Sequence, residues 1–86
     1  MASVAEVKAA IEAAVAQVNE GQAAIQAASE KLAQAAQTMA AALDGSGHEL
    51  VGAAQAALAQ ADTELREGLA ATLTAVERAQ TYAAGI

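Results

Sequence analysis

The stretch from Leu43 to Val51, LDGSGHELV, decides the fold. It is the one place in the 86 residues where glycine, serine, aspartate and histidine gather, and it lies near the middle of the chain. It reads either as a small glycine-rich cradle carrying a histidine or as a bend between two helices. The chemistry of the stretch favours the bend. Gly45 follows a helical pattern, where glycine is the usual C-terminal stop. Ser46 and Glu49 form a Ser-x-x-Glu pattern that starts a helix by reciprocal capping. An anion cradle needs a longer glycine frame and a lysine, and Asp44 and Glu49 would repel an anion.

On the N-terminal side the bulky apolar residues Val4, Ile11, Val18, Ile25, Leu32 and Met39 recur every seven positions. Three residues after each of them stands Val7, Ala14, Gly21, Ala28, Ala35 or Ala42, a column that is small after its first member. A sustained seven-residue repeat with a companion column is the pattern of packed helices. Ser3 with Glu6 offers a cap at the start. The spacing predicts a helix over about 4–43, a turn over Asp44, Gly45, Ser46 and Gly47, and a second helix over about 48–84. In that second helix Val51, Leu58, Leu65, Thr72, Ala79 and Ile86 form one column and Ala54, Ala61, Gly68, Ala75 and Tyr82 the other.

So short a connection forces the helices antiparallel. The expected fold is therefore all-α, a coiled-coil-like two-helix hairpin with an alanine- and glycine-lined seam, in a single domain over residues 1–86. Residues whose numbers sum to 90 then share a height, which sets Met39 beside Val51, Leu32 beside Leu58 and Ile25 beside Leu65. The expected seam is Val18, Gly21, Ile25, Leu32 and Met39 against Leu58, Leu65 and Gly68. Gly21 and Gly68 fall at one level, which predicts a close approach of the two backbones there.

Composition agrees and narrows function. Alanine takes about a third of the chain and proline is absent, as a long helix requires. Ten acids oppose four bases for a net charge of −6, and Tyr82 is the sole aromatic. Nucleic-acid binding calls for a basic stripe and stacking rings, so it is not expected. The same acidity argues against binding to an anionic membrane surface. The absence of cysteine excludes disulfides, thiolate zinc sites and thiol nucleophiles. The longest uncharged stretch, Leu32 to Leu43, is too short to span a bilayer. No cleavable signal pattern opens the chain, so the expected location is the cytoplasm, with export lacking a cleaved signal as the alternative.

Several bulky residues fall outside the expected seam: Val15, Leu43, Leu50, Leu69, Leu73 and Val76. Leu69, Leu73 and Val76 share a helix face at spacings of four and three, and Val15 lies near their height. With Tyr82, expected over the open end of the seam near Val7, they form an expected interface patch of Val15, Leu69, Leu73, Val76 and Tyr82. Burial would be worth about 1.5–3 kcal/mol for each large aliphatic side chain. A homodimer closing into a four-helix bundle, or docking on another helical protein, is the expected use of the patch.

No constellation carries chemistry. His48 lacks a second histidine or cysteine to complete a metal set, and reads as an exposed turn residue. Asp62, Glu64 and Glu67 with Arg66 and Arg78 read as a solvated face, Asp62 and Arg66 being an i,i+4 pair in the favourable orientation. Paired carboxylates need a cleft that shifts their pKa values, and a two-helix hairpin offers none. Neither a cofactor nor a metal is expected, and the chain reads as a non-enzyme.

The helix–turn–helix plan with ALDGSGHE at the turn and a late tyrosine resembles a group of uncharacterised small alanine-rich actinobacterial helical-hairpin proteins. That resemblance implies an architecture and no activity. More distantly the chain is similar to the WXG-type (ESAT-like) hairpins of type VII secretion, which implies a four-helix dimer and a role as export substrate or partner of a secreted toxin. It departs from them in having no Trp-x-Gly at the turn, and Tyr82 is followed four residues later by Ile86 rather than by an acid.

Overall fold

The computed structural model describes residues 2–45 and 47–86. Two helices account for nearly all of them: α1 is Val4–Ala42 and α2 is Glu49–Gly85. They lie antiparallel in a rod of 63 × 18 × 15 Å. The rod length follows from 39 residues in α1 at about 1.5 Å each. The fold is the all-α two-helix hairpin that the seven-residue repeat predicts.

Both helix starts are capped by side chains. Ser3 is extended, and its hydroxyl accepts the Glu6 N–H at 3.1 Å. The start of α2 differs from the expected one. His48 occupies the N-cap position, and its Nδ1 accepts the Leu50 N–H at 3.1 Å. The expected cap, Ser46, lies outside the described residues. Histidine serves here because an extended cap residue (φ −68°, ψ 131°) aims a ring nitrogen at the first unsatisfied amides of the helix. The end of α1 is closed by the Leu43 N–H donating to the Met39 carbonyl at 2.9 Å. Gly45 then turns the chain with φ +80°, a conformation that costs an L-residue about 1–2 kcal/mol.

The seam departs from expectation in its second column. The bulky column lies inward: Ile11, Val18, Ile25, Leu32 and Met39 are half-buried, as are Val51, Leu58 and Leu65. Its companion stands four residues on, at Val15, Gln22, Ser29 and Ala36 in α1 and at Gln55, Asp62, Leu69, Val76 and Ala83 in α2, all half-buried. Sequence reading put the companion three residues on, through Gly21 and Gly68. Both of those glycines are exposed, and a Cβ on either would meet nothing within 4 Å. Neither glycine packs against the opposite helix.

Apolar bulk explains the difference. The column at +4 holds Val15, Leu69 and Val76, whose burial is worth more than that of alanines and glycines. Its polar members come in with their partners. Gln22 Nε2 donates to Thr72 Oγ1 at 3.2 Å, Ser29 Oγ donates to Asp62 Oδ1, and Gln55 Nε2 donates to the Ala36 carbonyl at 3.2 Å. A polar group removed from water costs little when it is hydrogen-bonded.

Candidate interaction surface

The most telling property of the hairpin is what it leaves wet. Among the described residues, not one side chain is fully buried. A helix packed against a single neighbour covers one stripe of itself and exposes the rest. The accessible surface is 6176 Å². A folded monomer of 8.4 kDa is expected to expose about 4,600 Å². The Cα radius of gyration, 19.4 Å, likewise exceeds the roughly 12 Å of a compact chain of this length.

The seam itself is a ladder of apolar and polar layers. At its centre Asp62 takes the Ser29 hydroxyl on one oxygen, while the other meets Arg66 Nε at 3.0 Å. Asp62 is 25% exposed and Arg66 75%, so the carboxylate sits in the seam and the guanidinium in solvent. Towards the open end, Thr72 bridges the helices, accepting from Gln22 and donating to the Leu69 carbonyl at 2.7 Å. These layers fix the register, because sliding one helix would strand each polar group against an apolar neighbour.

The two flanks of the seam differ. One is furrowed. An open groove of about 540 Å³ is lined by Ile25, Gln26, Ser29, Glu30, Ala33, Arg66 and Leu69. A smaller one of about 200 Å³ nearer the turn takes in Ala33, Ala36, Gln55 and Ala59. Gln26 and Ala33 stand one residue after the bulky column of α1, and Ala59 and Arg66 one after that of α2, so these four share a flank. The residues three after each bulky position therefore lie on the opposite flank of both helices. There Val7, Ala28, Ala54 and Ala61 are half-buried, and Ala14, Gly21, Ala35, Gly68, Ala75 and Tyr82 are exposed.

Placed on this frame, the expected interface patch divides. Val15, Leu69 and Val76 belong to the seam and are half-buried, which corrects the expectation that they stand outside it. Leu73, 56% exposed, lies on the furrowed flank, one residue after Thr72. Tyr82, 59% exposed, lies on the opposite one, smooth in that its column is mostly alanine and glycine. The patch is not one surface, because a companion column at +4 turns Leu69 and Val76 inward and leaves Leu73 behind. Leu50, at 70%, is the most exposed of the large apolar residues among those described. Its position, four residues before Ala54, puts it beside the smooth flank.

No protein-family model, curated protein or solved structure matches the chain. Among the described residues no group of three or more His, Cys, Asp or Glu is placed to hold a metal ion, and no helix is long and apolar enough to cross a membrane. Sequence reasoning missed the polar rungs Gln22, Ser29, Gln55, Asp62 and Thr72, and the capping role of His48. The rungs had a signal. Val15, Leu69 and Val76 all stand four residues after a member of the bulky columns, in register with Gln22, Ser29, Gln55 and Asp62.

Proposed function

We propose that this chain is a non-enzymatic helical assembly module, whose hairpin packs against a second helical surface to complete a core it cannot build alone. The observation that carries the reading is the absence of any fully buried side chain among the described residues, with about 1,600 Å² more surface than a folded monomer of this mass exposes. A second copy is the simplest partner, and two hairpins side by side make a four-helix bundle. The long faces of the rod give room for it. A 63 × 18 Å face presents about 1,100 Å², so a pair covering it fully would bury up to about 2,200 Å², which reaches the range of obligate homodimer interfaces.

Concentration-dependent unfolding tests the reading. Assembly stabilises the folded chain by mass action, so a hundredfold rise in protein concentration adds about 2.7 kcal/mol. With an unfolding entropy of about 2.1 cal/mol/K per residue over both chains, Tm followed by circular dichroism should rise by about 7 °C. A Tm independent of concentration refutes self-association and leaves a different helical protein as the occupant.

A further inference from the structure

We infer that the second copy docks on the smooth flank, the one carrying Gly21, Ala28, Ala61, Gly68 and Tyr82, and not on the flank that carries Leu73. The inference rests on the self-association reading and adds to it the face that is used.

Charge separates the flanks first. Each chain carries −6, so two copies meet at least cost through surfaces that bring few acids together. On the smooth flank the positions three residues after the bulky column are Val7, Ala14, Gly21, Ala28, Ala35 and Ala42 in α1 and Ala54, Ala61, Gly68, Ala75 and Tyr82 in α2. None of them is ionisable; the charges on this side, Lys31, Glu64 and Arg78, stand in the outer column that also holds Leu50 and include two bases to one acid. The furrowed flank carries Glu12 and Arg66 in the corresponding places, the latter with its side chain 75% exposed.

Symmetry sharpens the contrast. A pair of identical chains closes about a two-fold axis, and residues at the middle of the rod then meet their own counterparts. The midpoints of Val4–Ala42 and Glu49–Gly85 fall at residues 23 and 67. Gly21 and Gly68 are each within two residues of them. Glycine weakens a helix, and nothing in the hairpin requires it at either site, since a Cβ would meet nothing within 4 Å. At the centre of a helix-on-helix interface, however, it lets backbones come close. Arg66 is also central, so docking on the furrowed flank would set it against its counterpart.

Area completes the argument. The face is large enough for a pair to bury up to about 2,200 Å², against the roughly 1,200–2,000 Å² of a stable interface. It also carries bulk at both ends: Tyr82 and half-buried Val7 near the open end, and Leu50 near the turn. In an antiparallel pair, the open end of one copy lies over the turn of the other, which brings Tyr82 towards Leu50.

The test is sedimentation equilibrium on the full chain and three variants. Gly21→Glu and Gly68→Glu put a carboxylate on the smooth flank at exposed sites where the hairpin has room for it, and each replaces glycine with a better helix former. Each should raise the dimer dissociation constant at least about 100-fold, as like charges meeting in an interface do, with helical circular dichroism undiminished at concentrations where the variant still pairs. Leu73→Glu adds the same charge to the other flank and should change the constant less than about 3-fold, as rim or distant charges do. Dimers of Gly21→Glu and Gly68→Glu as tight as wild type, or dissociation by Leu73→Glu alone, overturn the choice of face while self-association stands. A wild-type chain that stays monomeric overturns the self-association reading and this inference with it.

Discussion

Leu69 and Leu73 are the same residue type, one helical turn apart in α2, and sequence pattern alone groups them on one face. The structure separates them: Leu69 is half-buried in the seam, and Leu73 is 56% exposed outside it. Truncation to alanine should therefore give unequal losses. A fully buried leucine costs 2–5 kcal/mol on truncation; half burial in an open seam brings Leu69→Ala to about 1.5 kcal/mol. Leu73→Ala should stay within about 0.5 kcal/mol. Unfolding entropy of about 2.1 cal/mol/K per residue gives roughly 0.18 kcal/mol/K for 86 residues. The expected falls in Tm are then about 8 °C for Leu69→Ala and under about 3 °C for Leu73→Ala. Thermal melts by circular dichroism, with urea titrations, measure both, at one fixed protein concentration because assembly adds its own stability. Equal losses, or the larger loss at Leu73, would show that α2 is rotated about its axis relative to this seam, and the assignment of the two flanks would fall with it.

Three further outcomes follow from the caps, the turn and the rungs. His48→Ala removes the acceptor for the Leu50 amide and should cost about 1 kcal/mol, whereas His48→Asn should keep the cap; urea midpoints distinguish the two. Gly45→Ala forces a side chain into φ +80° and should lower stability by about 1–2 kcal/mol in the same assay. For Ser29 and Asp62, a double-mutant cycle with alanine should return a coupling of about 1–2 kcal/mol, since the hydroxyl donates to a carboxylate within the seam. A coupling near zero would mean that the two do not meet in solution.

Much of this fold is legible from the spacing of a few residues. Val4 to Met39 at intervals of seven, and the break at Asp44-Gly45, suffice for two antiparallel helices, because a heptad stripe must face a partner and a short turn permits only the adjacent helix. The second column is harder. Both the +3 and the +4 positions satisfy a heptad, and the +3 column looks the better core because it holds no polar residue except Tyr82. The decision lies in pairings between helices. Gln22 becomes acceptable in the seam only because Thr72 faces it, and Ser29 only because Asp62 does. Such pairs are invisible along one helix. Gly21 and Gly68 illustrate the same limit: their matching heights are legible, but whether they face each other or face outward depends on a rotation of about one residue. The cap at His48 was obscured by Ser46, a stronger capping type two residues earlier.

The central claim is that the hairpin is half of a core. Sedimentation equilibrium of the wild-type chain at several micromolar concentrations tests it most directly. The account predicts a species of twice the 8.4 kDa chain mass. A well-folded, helical 8.4 kDa monomer at every concentration would contradict it.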